Sequence, residues 1–268
     1  MAILNVTPDS FSDGGRFLSV NDALSQAERL ILDGADILDI GGESTRPGST
    51  RVSTDEEMGR VLPVIEEISK RFDIPISIDT TKSVVAEKAA EAGVEIINDI
   101  SGLRFDEAVA AVAARHRTGL VLMHSYGDFE SMHMRDADRK IISDVREGLT
   151  ASIDKARTAG VSRENIALDV GIGFGKTITQ NLELLAKLDE IVRQFPEYPM
   201  LVGTSRKSFL GKLAGDDPPE ARLSGSLATA AISIWNGASI LRVHDPGPTA
   251  EMAKTIDEIR KYRNEKVG

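Results

Sequence analysis

The chain contains no cysteine. Disulfides, thiolate metal sites and cysteine nucleophiles are therefore excluded, and a cytoplasmic protein is expected. Aromatic residues make up only 4%, and the single tryptophan, Trp235, belongs to no motif. Basic residues are outnumbered, 32 Lys and Arg against 42 Asp and Glu, for a formal net charge of −10. That balance argues against a protein that coats nucleic acid. It still allows an anionic small substrate, because a few local cations override the net sign. No run approaches the ~18 apolar residues of a membrane span. The first nine residues lack a basic stretch followed by an apolar core, so no secretory signal is expected. No Pro-, Gly- or Ser-rich linker and no low-complexity tract divides the chain, and residues 1–268 are expected to form one domain.

What is present is a recurring two-part unit. Hydrophobic residues at 41% and charged residues at 28% are ordinary for a globular chain. Short apolar runs at 2–6, 36–40, 75–78, 95–98, 120–123, 166–168, 200–202 and 240–243 read as strands. Several lack polar alternation, as expected when both faces of a parallel sheet are buried. Amphipathic stretches at 21–32, 55–71, 83–92, 106–115, 141–159, 181–194, 221–236 and 249–263 read as helices, with Thr54 or Asp55 capping the second. Gly34, Gly93, Gly160 and Gly237 stand just past four of these helices, the usual stop before a strand. The units repeat about every 34 residues, enough for crossovers of a dozen or more. Eight βα units predict a TIM (β/α)8 barrel, with an open doubly wound sheet as the alternative.

Unusual polar residues follow every apolar run. They include Asn5, then Asp39 leading into Gly41-Gly42-Glu43-Ser44-Thr45-Arg46-Pro47-Gly48, then Asp79, Asn98-Asp99 and Met123-His124. Next come Asp169, the Gly171–Lys176 stretch, Gly203-Thr204-Ser205-Arg206-Lys207-Ser208, and Arg242 with His244. In a barrel these positions form the C-terminal face, where active sites sit. Asp79 and Asp169 alone suit helix caps as well as ligand contacts. Asn98 alone suits a satisfied core amide, although polar strand ends beside it favour a ligand. Arg242 and His244 alternate on one strand and share a face; they suit either a buried ion pair or an anion site.

The Gly171–Lys176 stretch is neither a Walker A loop, whose first glycine falls on Val170, nor a dinucleotide fingerprint, whose third glycine comes one residue early. No metal-ligand spacing such as H-E-x-x-H occurs, although Mg²⁺ riding on a substrate phosphate needs only one or two protein oxygens. Carboxylates and an amide deep at the strand ends suit a heterocycle with N–H donors. Arg46, Lys176, Arg206, Lys207 and Arg242, with His244 as a further candidate, form a set of cations suited to phosphate or pyrophosphate.

In this order, residues 5–15, 41–48, 78–80, 171–176, 205–209 and 242–245 closely resemble the signatures of dihydropteroate synthases, pterin-binding TIM barrels, over nearly the whole chain. The resemblance implies condensation of 6-hydroxymethyl-7,8-dihydropterin pyrophosphate with p-aminobenzoate, giving 7,8-dihydropteroate and pyrophosphate, with Mg²⁺ as cofactor. It implies that Asp79, Asn98 and Asp169 hold the pterin with Lys207 alongside. Arg46, Arg242 and His244 would hold the pyrophosphate, with Asn5 taking part in Mg²⁺ binding. Thr45, Arg46, Pro47, Phe174, Lys207 and Ser208 would surround p-aminobenzoate. Asp79, Asp169, Lys207, Arg242 and His244 would carry the catalysis. Sulfonamides would compete with p-aminobenzoate, and a homodimer would form through helices on the barrel side, with the Trp235 helix as a candidate surface. The sequence departs from the usual pattern at Val170, at Ser125 after Met123-His124, and in the loop over residues 126–134. The alternatives are a methyltetrahydrofolate-dependent methyltransferase, which has no use for Lys207 beside Arg206, and a non-catalytic pterin-binding barrel.

Overall fold

A computed structural model of the chain describes residues 1–7, 20–45, 49–129, 131 and 140–263. Eight parallel strands run in sequence order through one sheet. They are β1 (Ala2–Asn5), β2 (Leu38–Gly41), β3 (Ile76–Asp79), β4 (Ile96–Asp99), β5 (Gly119–Met123), β6 (Ile166–Asp169), β7 (Met200–Val202) and β8 (Ile240–Leu241). The sheet closes on itself. Ala2 bridges Val243 in parallel, Ile3 N donates to Val243 O, and Val243 N donates to Met1 O. The barrel is therefore closed, which sequence periodicity alone leaves open.

The helices described are α1 (Val20–Leu32), α2 (Thr54–Arg71), α3 (Ser83–Glu91), α4 (Ala108–His116), α5 (Ile141–Thr158), α6 (Ile178–Ala186), α7 (Leu188–Gln194), α8 (Ser208–Leu213), α9 (Leu223–Trp235) and α10 (Pro246–Arg263). Local chemistry explains where they differ from expectation. The cap of α2 is Ser53, not Thr54 or Asp55: its hydroxyl accepts Glu56 N–H at 3.2 Å. Asp55, Glu56 and Glu57 then sit in the first turn, where the helix dipole favours acids. Asp106 lies outside α4 because its carboxylate accepts Ala108 N–H at 3.0 Å and Ser83 N–H at 2.8 Å. The helix expected over 181–194 starts earlier, at a Thr177–Gln180 capping box, and breaks at Lys187 into α6 and α7. The apolar stripe runs through that break, so periodicity gives no sign of it. At six residues, α8 is too short to show a period. Gly34, Gly93, Gly160 and Gly237 adopt positive φ where helices stop, as expected.

Strand alternation sorts the barrel into two surfaces. Leu4, Leu38, Ile40, Ile78, Ile97, Leu122 and Leu168 pack outward against the helices in the main core. Met1, Val121 and Leu201, with Ile37, Ile96, Ala167 and Ile240, form a separate apolar cluster that fills the lower barrel interior. The same inward parity, continued toward the C-terminal strand ends, brings Asn5, Asp79, Asn98, Asp169 and Arg242 to one mouth. Registers Asn5↔Gly41, Gly41↔Asp79, Asp79↔Asn98 and Asp169↔Leu201 set their heights. An apolar plug thus lies beneath a polar mouth.

Candidate active site

At the centre of the mouth stands Arg242. Its Nε donates to Asp39 Oδ2 and its Nη2 to Asp79 Oδ2, both at 2.6 Å. Asn98 Nδ2 donates to the same Asp39 oxygen at 3.1 Å. One guanidinium therefore joins strands β2, β3 and β8, and the amide of β4 joins through Asp39. Burial alone would lower the Arg242 pKa, but Asp39 and Asp79 beside it leave it raised. Burial pushes Asp79 up to about 7; Arg242 opposes that shift and Asp39 adds to it. Asp39 is fully buried and, among the described residues, its Oδ1 has no hydrogen-bond partner. Sequence reasoning marks it only as a strand end. The usable signal is parity, since Asp39 sits two residues before Gly41 on the inward face.

Asp169 lies across the mouth. Its Oδ1 accepts Gly171 N–H at 2.7 Å. Burial raises its pKa and that hydrogen bond holds it back. Lys207 reaches in from the end of β7, with its Nζ 4.1 Å from the centre of the Phe174 ring. Burial pulls its ammonium down to about 8; Arg242 repels it further, while Asp169 and Asp79 oppose the shift. Two glycines make this crowding possible. A Cβ on Gly171, at φ +68°, would stand 1.9 Å from His124 O, and one on Gly173, at φ +85°, would stand 3.0 Å from Lys207 Cδ. Both positions need the left-handed conformation that glycine tolerates.

Two of the expected ligand cations are already committed. Lys176 is fully buried and donates to the carbonyls of Gly171 (2.8 Å), Phe174 (3.1 Å) and His124 (3.2 Å). Burial lowers its pKa to about 7. It straps the β5 and β6 loops together and does not serve as a ligand cation. Arg206 holds Asp245 through Nε (3.0 Å) and Nη2 (2.5 Å). His244 is the third departure. Burial, with Arg206 and Arg242 nearby, pushes it down to about 3, so it is a neutral imidazole. Ser205 Oγ accepts His244 N–H at 3.2 Å and lies 3.0 Å from Nδ1. A Ser205 hydroxyl that donates to Nδ1 would leave the ring proton on Nε2.

Asn5 ends β1 beside Gly41: its Oδ1 is 3.7 Å from where a Cβ on that glycine would stand. Thr45 is described and half-buried, whereas Arg46 and Pro47 lie outside the described residues. Ser208 opens α8 and is exposed. Phe174 is buried against Ile100, Met123 and Phe129. A second buried network underlies the β2–α2 loop. Lys82 Nζ donates to Glu57 (2.5 Å), Val52 O (2.9 Å) and Glu43 (3.0 Å), and Glu43 also accepts Val52 N–H at 2.7 Å. Sequence reasoning missed this clamp because its members lie 25 and 39 residues apart.

A barrel whose mouth gathers inward carboxylates, an amide and buried cations is the arrangement of pterin-binding enzymes. The sequence pattern of the family described as "Pterin binding enzyme" matches residues 1–244, and the chain belongs to that family. Its relatives within the family include dihydropteroate synthases. The one from Bacillus subtilis is 48% identical over 96% of this chain and 87% of its own. The crystal structure of the Clostridium difficile enzyme, in the presence of pteroic acid, superposes with a TM-score of 0.90 at 44% identity, covering 97% of this chain and 95% of that one. The Xanthomonas albilineans enzyme with 4-aminobenzoic acid gives a TM-score of 0.89 at 39% identity, covering 99% and 93%.

Proposed function

We propose that the protein condenses 6-hydroxymethyl-7,8-dihydropterin pyrophosphate with p-aminobenzoate, releasing 7,8-dihydropteroate and pyrophosphate. The observation that carries this reading is the Asp39–Arg242–Asp79 network, with Asn98 and Asp169, at the mouth of a barrel alike in sequence and shape to known synthases. Asp79, Asn98 and Asp169 accept and donate along the polar edge of the pterin, and Lys207 lies alongside it. Breaking the pterin CH₂–O bond develops positive charge on the pterin and negative charge on the pyrophosphate. The carboxylates favour the electron-poor ring. Arg242, Arg46 and the Nε2–H of neutral His244 stabilise the departing anion. The amine nitrogen of p-aminobenzoate then bonds to the CH₂ carbon. The resulting anilinium is acidic enough to release its proton to solvent once the site reopens, so no general base is needed.

Thr45, Arg46, Pro47, Phe174, Lys207 and Ser208 form the arylamine side of the site in this reading. Excluding water there protects the cation from capture. Among the described residues no cluster of His, Asp or Glu could cage a metal. The Asn5 amide suits Mg²⁺, which takes few protein oxygens and fills its shell with water and phosphate. When bound, it neutralises charge on the leaving pyrophosphate.

A homodimer through barrel-side helices belongs to the same reading, with Ile232 and Trp235 exposed on α9. So does a cytoplasmic setting; no described helix is long and apolar enough to cross a membrane. The methyltransferase and non-catalytic alternatives leave Lys207 on Phe174 without a purpose. With Mg²⁺, pyrophosphate release is expected only when both substrates are present. No release under those conditions overturns the proposal.

A further inference from the structure

Beneath the mouth, strands β2 and β3 turn two polar side chains into the barrel. Asp39 and Ser77 are direct register partners. Their chain neighbours Leu38, Ile40, Ile76 and Ile78 pack outward in the main core, so Asp39 and Ser77 face inward. Both are 0% exposed. Among the described residues, neither Asp39 Oδ1 nor Ser77 Oγ has a hydrogen-bond partner. A buried carboxylate oxygen or hydroxyl without a partner is costly. Here two such atoms stand on adjoining strands, whose backbones run about 4.8 Å apart. Ser77 interrupts the apolar run 75–78, and the mouth makes no use of it.

The surroundings leave room. The next inward position on β2 is Gly41, and a Cβ there would meet nothing nearer than Asp79 Cβ at 3.6 Å. The chemistry of the occupant follows from its two partners. Asp39 Oδ1 needs a donor, whereas Ser77 Oγ can donate or accept. A cation is disfavoured, because the Arg242 guanidinium already lies 2.6 Å from the other oxygen of the same carboxylate. Water is neutral, small, and able to serve both atoms, and buried waters characteristically hold otherwise unpartnered polar groups.

We propose that one buried water bridges Asp39 Oδ1 and Ser77 Oγ, and that through it Ser77 sets the affinity for the pterin. Asp39 Oδ2 holds Arg242 Nε and Asn98 Nδ2. With Nδ2 committed to a carboxylate, Asn98 offers the ring its Oδ1. The plane of the Asp39 carboxylate therefore fixes both the Asn98 amide and the Arg242 guanidinium, and a water on Oδ1 fixes that plane. Ser77 is a positioning residue; it touches neither the ring nor the reacting atoms. The bridge stands on geometry alone, and its effect on the pterin rests on the reading of the site given above.

A crystal structure of the protein, at a resolution that places ordered waters, tests the bridge. The expected result is a water within about 2.6–3.2 Å of both Asp39 Oδ1 and Ser77 Oγ, lost in Ser77→Ala. A Ser77 hydroxyl turned directly onto Asp39, or no water between the two atoms, overturns the bridge whatever reaction the site performs. Steady-state kinetics tests the coupling. Ser77→Ala removes one oxygen from the interior, and Ser77→Thr keeps the hydroxyl. Ser77→Ala is expected to raise KM for the pterin pyrophosphate about threefold to tenfold, the scale of one hydrogen bond. KM for p-aminobenzoate should stay within about twofold, and Ser77→Thr should recover most of the loss. An unchanged KM for the pterin substrate, equal rises for both substrates, or no recovery in Ser77→Thr overturns the positioning role. Absence of turnover in the unaltered protein fails the condensation reading instead, and the crystallographic result then decides the bridge.

Discussion

Replacing Arg242 with methionine keeps the apolar stem and removes the guanidinium. Two carboxylates, Asp39 and Asp79, then lose their shared partner at 2.6 Å. Removing one side of a buried ion pair typically costs about 3–5 kcal/mol. At about 2 °C per kcal/mol for a chain of this length, Tm should fall by about 6–10 °C. The loss should also depend on pH. The folded pKa of Asp79, pushed to about 7, lies above its ordinary 3.8. The native state therefore holds a proton that the unfolded chain has released, and stability falls as pH rises toward the folded pKa. Without Arg242 that pKa rises further, adding about 1.4 kcal/mol of loss per unit at higher pH. Below the raised pKa, protonation of Asp79 relieves the strain. Thermal unfolding followed by circular dichroism should thus show a larger gap between wild type and Arg242→Met at pH 8.5 than at pH 6. An equal gap at both pH values, or no loss of Tm, refutes the reasoning.

Three further outcomes are expected. Asp169→Asn should abolish pterin binding in isothermal titration calorimetry; unchanged affinity would remove Asp169 from the pterin site. Lys176→Met should leave three buried carbonyls without donors and cost about 3 kcal/mol or more, which scanning calorimetry reads as a drop in Tm; an unchanged Tm would contradict the strap. Lys207 loses its charge as pH rises through about 8, so affinity for the pterin pyrophosphate should weaken from pH 8 upward, whereas Lys207→Arg should stay flat. A wild-type affinity constant to pH 9.5 would argue against a cationic role.

The barrel is legible in the sequence because parallel strands buried on both faces leave apolar runs at regular spacing, each ended by polar residues. Asp79, Asn98 and Asp169 stand out because they interrupt those runs on the inward parity. Partnership is not legible. A strand-end arginine and a buried lysine look alike in sequence, yet Arg242 spans the mouth while Lys176 spends its three protons on loop carbonyls. Nor does sequence show that His244 is neutral, since its charge depends on burial and on Arg206 and Arg242 around it. Asp39 reads only as a strand end because its role comes from strands β4 and β8, 59 and 203 residues away. The break at Lys187 leaves no trace because the apolar stripe continues through it.

The central claim is that the polar mouth binds the pterin. A crystal structure of the protein with 6-hydroxymethyl-7,8-dihydropterin pyrophosphate tests it most directly. The account predicts the polar edge of the ring against Asp79, Asn98 and Asp169, with the pyrophosphate toward Arg242 and His244. A pterin seated elsewhere, with the Asp39–Arg242–Asp79 network untouched, would contradict it.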